Sequence, residues 1–277
     1  MIPKRIFFYW NGNSMSWMRY MTLYSFRKFN PDWEITLYLS DNGNAKKLWN
    51  GWEEQDFFAY KGTDYLPKLE ALNIKIEKAV LPGNISGLSQ IHHSDIFRYY
   101  QLAENGGFYS DMDVLYFRPI ETYYNKVSAC DAVFHQDKRN VTIGFMASSV
   151  GNAFYKNIFD FATKHIDQSD YQSMGVLLLY KMFRGQGTDA QILDKIRIAY
   201  PKMNIQNLPS GLLYEYDWSM VKFNFSHPVP IQMFSPEAIG YHWYGGNPLS
   251  QRWNNILTET NYKEHNTTFS ELCKQIL

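Results

Sequence analysis

The chain has 277 residues, 45% of them hydrophobic and 19% charged, which is enough to bury a full core without disulfides or a structural metal. Its 27 basic residues balance 27 acidic ones with no basic run, which argues against a long polyanion such as nucleic acid as its main partner. Cys130 and Cys273 stand far apart without metal-like spacing, so free thiols in a reducing compartment are expected rather than a disulfide framework.

The first expected element is Ile6-Phe7-Phe8-Tyr9-Trp10, a continuous apolar run closed by Asn11-Gly12, the pattern of a buried central strand. Ser14 is placed to cap a helix reaching about Phe29, where Asn30-Pro31 stops it, and Glu34 to Leu39 reads as a second strand before Ser40-Asp41-Asn42-Gly43. Strand, helix and strand in close succession make a βαβ opening, and in such folds ligands gather at the carboxyl ends of parallel strands. Trp10-Asn11-Gly12 and Ser40-Asp41 mark those ends. From Ala45 to Leu81 the pattern is mixed, with Trp49, Trp52 and a strand around Ile74 to Val80, punctuated by Pro82-Gly83-Asn84. The N-terminus has no signal-like apolar run, and no window reaches the roughly 18 apolar residues of a membrane span. A cytoplasmic protein is expected, with at most peripheral contact at the inner face of a membrane.

Ser86 onward reads as a helix carrying Asp95 and Arg98, with Ile91, Ile96, Tyr99 and Leu102 as core contacts. Asn105-Gly106-Gly107 ends it, and a short aromatic strand runs into Asp111-Met112-Asp113 before Arg118-Pro119 turns the chain. Two strands near Ala129 to His135 and Thr142 to Ser148 predict a mixed sheet. Asn152 to His165, Tyr171 to Phe183 and Asp189 to Ile198 have helical periodicity, the last two separated by Gly185-Gln186-Gly187, and form a helical insertion at roughly residues 150–200. Turn-rich segments then lead to Ala238-Ile239-Gly240-Tyr241-His242-Trp243-Tyr244-Gly245-Gly246-Asn247. With no internal repeat and no linker, a single α/β domain over residues 1–277 is expected.

Two carboxylates at i and i+2 point to opposite faces of a straight strand, so Asp111 and Asp113 can share a cation only if the strand ends or bends there. Carboxylate oxygens are hard ligands suited to Mg²⁺ or Mn²⁺, and a cation on a diphosphate stabilises it as a leaving group without proton transfer. Chance supplies roughly one D-x-D per chain of this length, so the context carries the weight. Asp95 and Arg98, three apart on one helix face, are either an intrahelical pair worth a few tenths of a kcal/mol or a pair aimed at the site. The 21 Tyr, 19 Phe and 8 Trp suit sugar and base stacking, but they also make ordinary cores.

IPKRIFFYWNG, SDIFRYYQLAENGGFYSDMDV and the late aromatic and His segment together resemble glycosyltransferase family 32, whose members carry a D-x-D sugar-binding region. The same order is similar to the catalytic domain of clostridial glucosylating toxins. The resemblance implies a GT-A fold, a Rossmann-like mixed central sheet with helical insertions. It also implies Mn²⁺ or Mg²⁺ and a nucleoside-diphosphate sugar donor, UDP-sugar favoured. The sugar would pass with retention to an acceptor hydroxyl on a surface polysaccharide or glycolipid. By motif position Trp10 flanks the nucleotide base beside Asn11, Asp95 and Arg98 contact the donor sugar, Asp111 binds ribose or sugar and the metal through water, and Asp113 ligates the metal. His242 matches a third metal ligand or diphosphate donor, while Gly246-Asn247 stands where Ser-Trp is usual, leaving the Asn247 carbonyl as a candidate ligand. His92-His93 replaces small residues and is expected to face solvent on the first helical turn, and Asp189 falls on an acceptor-side loop. Two rivals stand: a Mg²⁺-dependent phosphoesterase, which requires more converging acidic residues, and a non-catalytic nucleotide-sugar-binding protein.

Overall fold

The apolar run that opens the chain forms β1 (Arg5–Trp10), and its alternation sorts two cores. Ile6, Phe8 and Trp10 pack with Leu23 and Phe26 of α1 (Trp17–Phe29) on one face. Phe7 and Tyr9 pack on the other with Ile96 and Phe97 of α2 (Gln90–Glu104). The computed structural model describes residues 1–40, 60–83, 85, 87–137, 141–183 and 192–277. Asp41 to Gly43, Trp49, Trp52, Asn84, Ser86, Gly185-Gln186-Gly187 and Asp189 lie outside the described residues.

The βαβ opening is present, with two adjustments. The cap of α1 is Ser16 rather than Ser14, its Oγ accepting from the Arg19 N–H. Met15 explains the shift: its N–H donates to Asp64 Oδ1 at 2.8 Å and its carbonyl accepts from the Tyr65 N–H at 2.8 Å, so it is tied to a neighbouring segment and cannot join the helix. Ser89 caps α2, so that helix begins later than expected. Of the four core contacts expected on it, Ile96, Tyr99 and Leu102 are fully buried, whereas Ile91 is half-buried and faces a cavity.

The other strands are β2 (Glu34–Leu39), β3 (Lys75–Lys78), β4 (Gly107–Ser110), β5 (Val114–Tyr116), β6 (Ala132–Gln136), β7 (Val141–Ser148), β8 (Ile205–Asn207) and β9 (Gly240–His242). Seven form a mixed sheet in the order β3-β2-β1-β4-β7-β6-β8. β3, β2, β1 and β4 run parallel, and β7 is antiparallel to both β4 and β6. Strand order reverses between β1 and β4, which makes their carboxyl ends the topological switch point where an α/β sheet opens a crevice. β5 and β9 form a separate antiparallel pair.

Helices α3 (Glu121–Val127), α4 (Ala153–Lys164), α5 (Val176–Phe183) and α6 (Ile192–Ala199) follow in order. Phe154, Ile158, Leu179 and Ile196 share the core beneath β7 and α2, so these helices pack on the sheet itself. A short turn of helix, α7 (Val221–Asn224), precedes α8 (Pro248–Ile256) and α9 (Thr268–Ile276). A third core joins Trp17 to Trp243, Phe269 and Leu272, so the end of the chain packs against its beginning. Among the described residues no helix is long and apolar enough to cross a membrane. Both cysteines are free and buried.

Candidate active site

The D-x-D segment meets the geometric condition set by its spacing. β4 stops at Ser110, and β5, in a different sheet, starts at Val114, so Asp111, Met112 and Asp113 form the turn between them. Met112 is buried in the core and its carbonyl accepts from Thr22 Oγ1 at 2.9 Å, which fixes the turn from below and leaves both carboxylates on the cavity side. Gly106 and Gly107 deliver β4 to this point with φ of 62° and 92°. A Cβ on Gly107 would lie 2.4 Å from Arg5 Cγ, so only glycine lets the strand slot beside β1.

Arg98 is the hub beneath the turn. Its Nη2 contacts Asp95 Oδ1 at 2.8 Å and its Nη1 approaches Asp111 Oδ1 at 3.3 Å. Nη1 also donates to the Ile143 carbonyl, Nε to the Ser94 carbonyl and Nη2 to Ser94 Oγ, while the guanidinium lies 4.4 Å from the Tyr109 ring centre. All five of its N–H groups thus have protein acceptors, and its geometry organises Asp95 and Asp111 rather than offering a free fork to a ligand. Burial pushes the Asp95 carboxyl up, to about 6, against the pull of Arg98, which leaves it ionised at neutral pH. Asp111 also accepts from the Tyr109 hydroxyl at 2.6 Å. Its other oxygen lies where a Cβ on Gly144 would come within 2.6 Å, so Gly144 leaves the carboxylate its space.

Asp113 is held differently. β9 pairs with β5 so that His242 stands opposite Val114, which brings a residue 129 positions away in sequence to Asp113. His242 Nε2 lies 3.1 Å from Asp113 Oδ1, and the Gly245 N–H donates to Asp113 Oδ2 at 2.6 Å. Burial opposes ionisation of Asp113, but His242, Arg19 and the Gly245 N–H outweigh it and hold the carboxyl well below the usual range. Burial likewise opposes protonation of His242, and Asp113 reverses the balance, raising its pKa. The ligand atoms of Asp111, Asp113 and His242 lie within 4.8 Å of one another, near the span of about 4 Å across a shell of ligands at 2.0–2.1 Å. His242 Nδ1 is buried with no hydrogen-bond partner among the described residues. Two carboxylates and an imidazole fit Mn²⁺ or Mg²⁺.

Two cavities share these carboxylates. The first, about 150 Å³, opens at the switch point between Trp10 and Asn11 at the end of β1 and Tyr109 and Asp111 at the end of β4, with Asp95 and Arg98 along α2. Trp10 is 5% exposed and largely core, with one edge on this cavity. The second, about 470 Å³, lies on the far side of Asp111 and Asp113 and is walled by His242, Tyr214, Trp218 and Tyr244. Asn247 lines neither: its Oδ1 caps α8 by accepting from the Leu249 N–H at 3.0 Å.

Arg19 escaped the sequence reading. It is buried on α1, lines the first cavity, and its guanidinium sits 5.4 Å from the Trp10 ring centre and 4.7 Å from that of Trp243. A lone charge inside Trp17-Met18-Arg19-Tyr20-Met21 was the available signal. The histidines of α2 overturn another expectation, since both His92 and His93 are buried. His93 Nδ1 meets the Tyr9 hydroxyl at 2.7 Å, and His92 bonds Ser89 Oγ at 2.8 Å and the Asp170 carbonyl at 2.9 Å. The first turn of α2 is covered by β1 and by the 167–175 segment, which a sequence pattern does not reveal.

Residues 9–134 match a family model described as the glycosyltransferase sugar-binding region containing DXD motif. The seven-stranded mixed sheet, with that motif at the end of β4, is the mixed α/β architecture that was expected. Among solved structures the fold is similar to PaToxG glycosyltransferase, at 15% identity and TM-score 0.46 over 98% of this chain and 86% of that one. It is similar to the galactosyltransferase LgtC in complex with donor and acceptor sugar analogs, at 14% identity and TM-score 0.42 over 98% and 95%. It is also similar to the glycosyltransferase GlyE of Streptococcus pneumoniae TIGR4, at 11% identity and TM-score 0.46 over 99% of this chain and 63% of that one. At such depth these likenesses say nothing of substrate. No curated protein matches the sequence.

Proposed function

We propose that the chain is one catalytic domain, a metal-dependent retaining glycosyltransferase that moves a hexose from a nucleoside-diphosphate sugar to an acceptor hydroxyl. UDP-sugar is the favoured donor, and a surface polysaccharide or glycolipid the favoured acceptor. The observation that carries this reading is the junction at Asp111 and Asp113, where a cavity bearing two arginines meets a second cavity across a three-ligand cation site. Arg19 supplies positive charge for a diphosphate, and Trp10 and Asn11 border the nucleotide. Asp95, held by Arg98, orients a hydroxyl of the donor sugar, and Asp111 serves the sugar or ribose from the other side of the same guanidinium. Asp111, Asp113 and His242 would hold Mn²⁺ or Mg²⁺, which when bound neutralises charge on the departing diphosphate. Among the described residues proposed to meet the sugar no carboxylate stands besides Asp95 and Asp111, both engaged by Arg98, which favours same-face attack by the acceptor, with the leaving diphosphate as proton acceptor. Positioning and electrostatics then supply the rate.

The phosphoesterase rival asks for more converging acidic groups than the single cluster of two aspartates and one histidine found among the described residues. A panel of nucleotide sugars assayed for metal-dependent hydrolysis separates the transferase from a binding protein. Asp113→Asn should lower that hydrolysis by about 10²–10³-fold, the scale of one lost electrostatic group at a leaving charge. Near-normal activity of this variant at saturating Mn²⁺ overturns the site assignment.

A further inference from the structure

We propose that the second cavity is a saccharide site in which a pyranose of the acceptor lies against Trp218 and Tyr244. This deepens the transferase reading and rests on it for the word acceptor. Trp218 is 41% exposed, on a short turn that Asp217 pins by accepting from the N–H and hydroxyl of Ser219. The Tyr244 ring meets Trp218 edge-on with centres 5.7 Å apart and His242 at 4.2 Å. A large aromatic side chain standing out at a cavity wall is unusual, and two in contact form a corner.

Tyr244 adopts φ of 50°, the left-handed region that a bulky residue rarely enters and that clusters at functional sites. Two bonds hold the turn it starts: its carbonyl accepts from the Asn247 N–H at 2.9 Å, and the next N–H, of Gly245, reaches Asp113 Oδ2. The same backbone turn therefore serves the D-x-D carboxylate and sets the ring on the cavity wall.

The charge of the wall selects the occupant. Asp111, Asp113 and Asp170 line this cavity, and among the described residues that line it none is Lys or Arg, so these carboxylates oppose a phosphate-bearing acceptor. Gln172 adds hydrogen-bonding groups beside the rings, next to Thr142, whose Oγ1 meets His135 Nδ1 at 2.9 Å. The wall is thus polar as well as aromatic, and a purely apolar ligand would leave the Gln172 amide dry. A neutral pyranose satisfies both demands, with polarised C–H groups on the electronegative ring faces and hydroxyls toward Thr142, Gln172 and Asp170.

The test uses the full chain labelled with 5-fluorotryptophan, the Trp218 resonance being assigned from Trp218→Phe. Methyl pyranosides of several configurations are titrated with UDP and Mn²⁺ present, with sorbitol as the acyclic control. The proposal expects at least one pyranoside to shift the Trp218 resonance saturably and sorbitol to leave it in place. It also expects Tyr244→Ala to weaken that binding about tenfold, the scale of one aromatic contact, and Tyr244→Phe to retain it, which separates the ring from a folding defect. Pyranosides that leave the Trp218 resonance unmoved overturn the proposal, including the case where a serine-containing peptide moves it. Nucleotide-sugar hydrolysis by the wild type is followed in parallel. Its absence overturns the transferase reading, while the fluorine titration still decides the saccharide site.

Discussion

The two cavities share Asp111 and Asp113 and differ in where the cationic side chains stand. The first carries the guanidinium groups of Arg19 and Arg98, while the described lining of the second has aromatic rings and carboxylates and no Lys or Arg. The difference teaches where charge is expected: an anionic ligand belongs on the arginine side and a neutral polar one on the aromatic side, with the cation site as the boundary. Neither cavity is built by one stretch of chain. The first is organised by β1, α1, α2 and β4, and the second depends on β7, β9 and the turns around Trp218 and Tyr244.

Breaking the first cavity from within should have the largest effect. Arg98→Met leaves Asp95 buried without its partner, and urea denaturation should show a loss of about 3–5 kcal/mol. Adding Asp95→Asn should restore part of it, and a neutral single variant would show that the guanidinium does not organise this wall.

Acid should act on both cavities, because a buried histidine supports each. His93 bonds the Tyr9 hydroxyl behind the first. His135 bonds Thr142 Oγ1 at 2.9 Å and Ser210 Oγ at 3.1 Å behind the second. Burial lowers each to about 4, below the ordinary 6.5. The unfolded chain then binds more protons between pH 6.5 and 4, so the stabilisation is complete above 6.5 and is lost as pH falls toward 4. Each contributes up to roughly 3 kcal/mol. Asp95, raised to about 6, takes up a proton in the same window with the opposite sign, so the histidines are read by difference. In denaturation across this window His93→Gln and His135→Gln should each lessen the loss of stability toward acid relative to the wild type, and variants with an unchanged pH dependence contradict the burial argument.

Arg19→Gln is the smallest and sharpest test of the comparison. UDP binding measured by calorimetry should weaken about tenfold, as expected for one charge-assisted contact. The loss should fall on the nucleotide and not on a methyl pyranoside, and equal losses on both would mean that the cavities are not electrostatically distinct.

Much of this was legible along the chain because it is local. The run Ile6 to Trp10, the Gly106-Gly107 stop and the spacing of Asp95, Arg98, Asp111 and Asp113 state their own geometry through strand alternation, helix period and the steric freedom of glycine. The cap of α1 was misplaced by two residues because Asp64, about fifty positions later, holds Met15 out of the helix. His92 and His93 looked like surface residues because the strand and loop that cover them are distant in sequence.

The sequence by itself determined the βαβ opening, the turn that presents two carboxylates, and the family to which residues 9–134 correspond. Tertiary structure alone decided that Arg98 has its donors engaged, that Arg19 lines the first cavity, and that Asn247 caps a helix. It also decided that Trp218 and Tyr244 form a second wall. The reason is physical: burial, ion pairing and ring contact are set by packing between segments, and the periodicity of one segment records only which of its faces is buried, not against what.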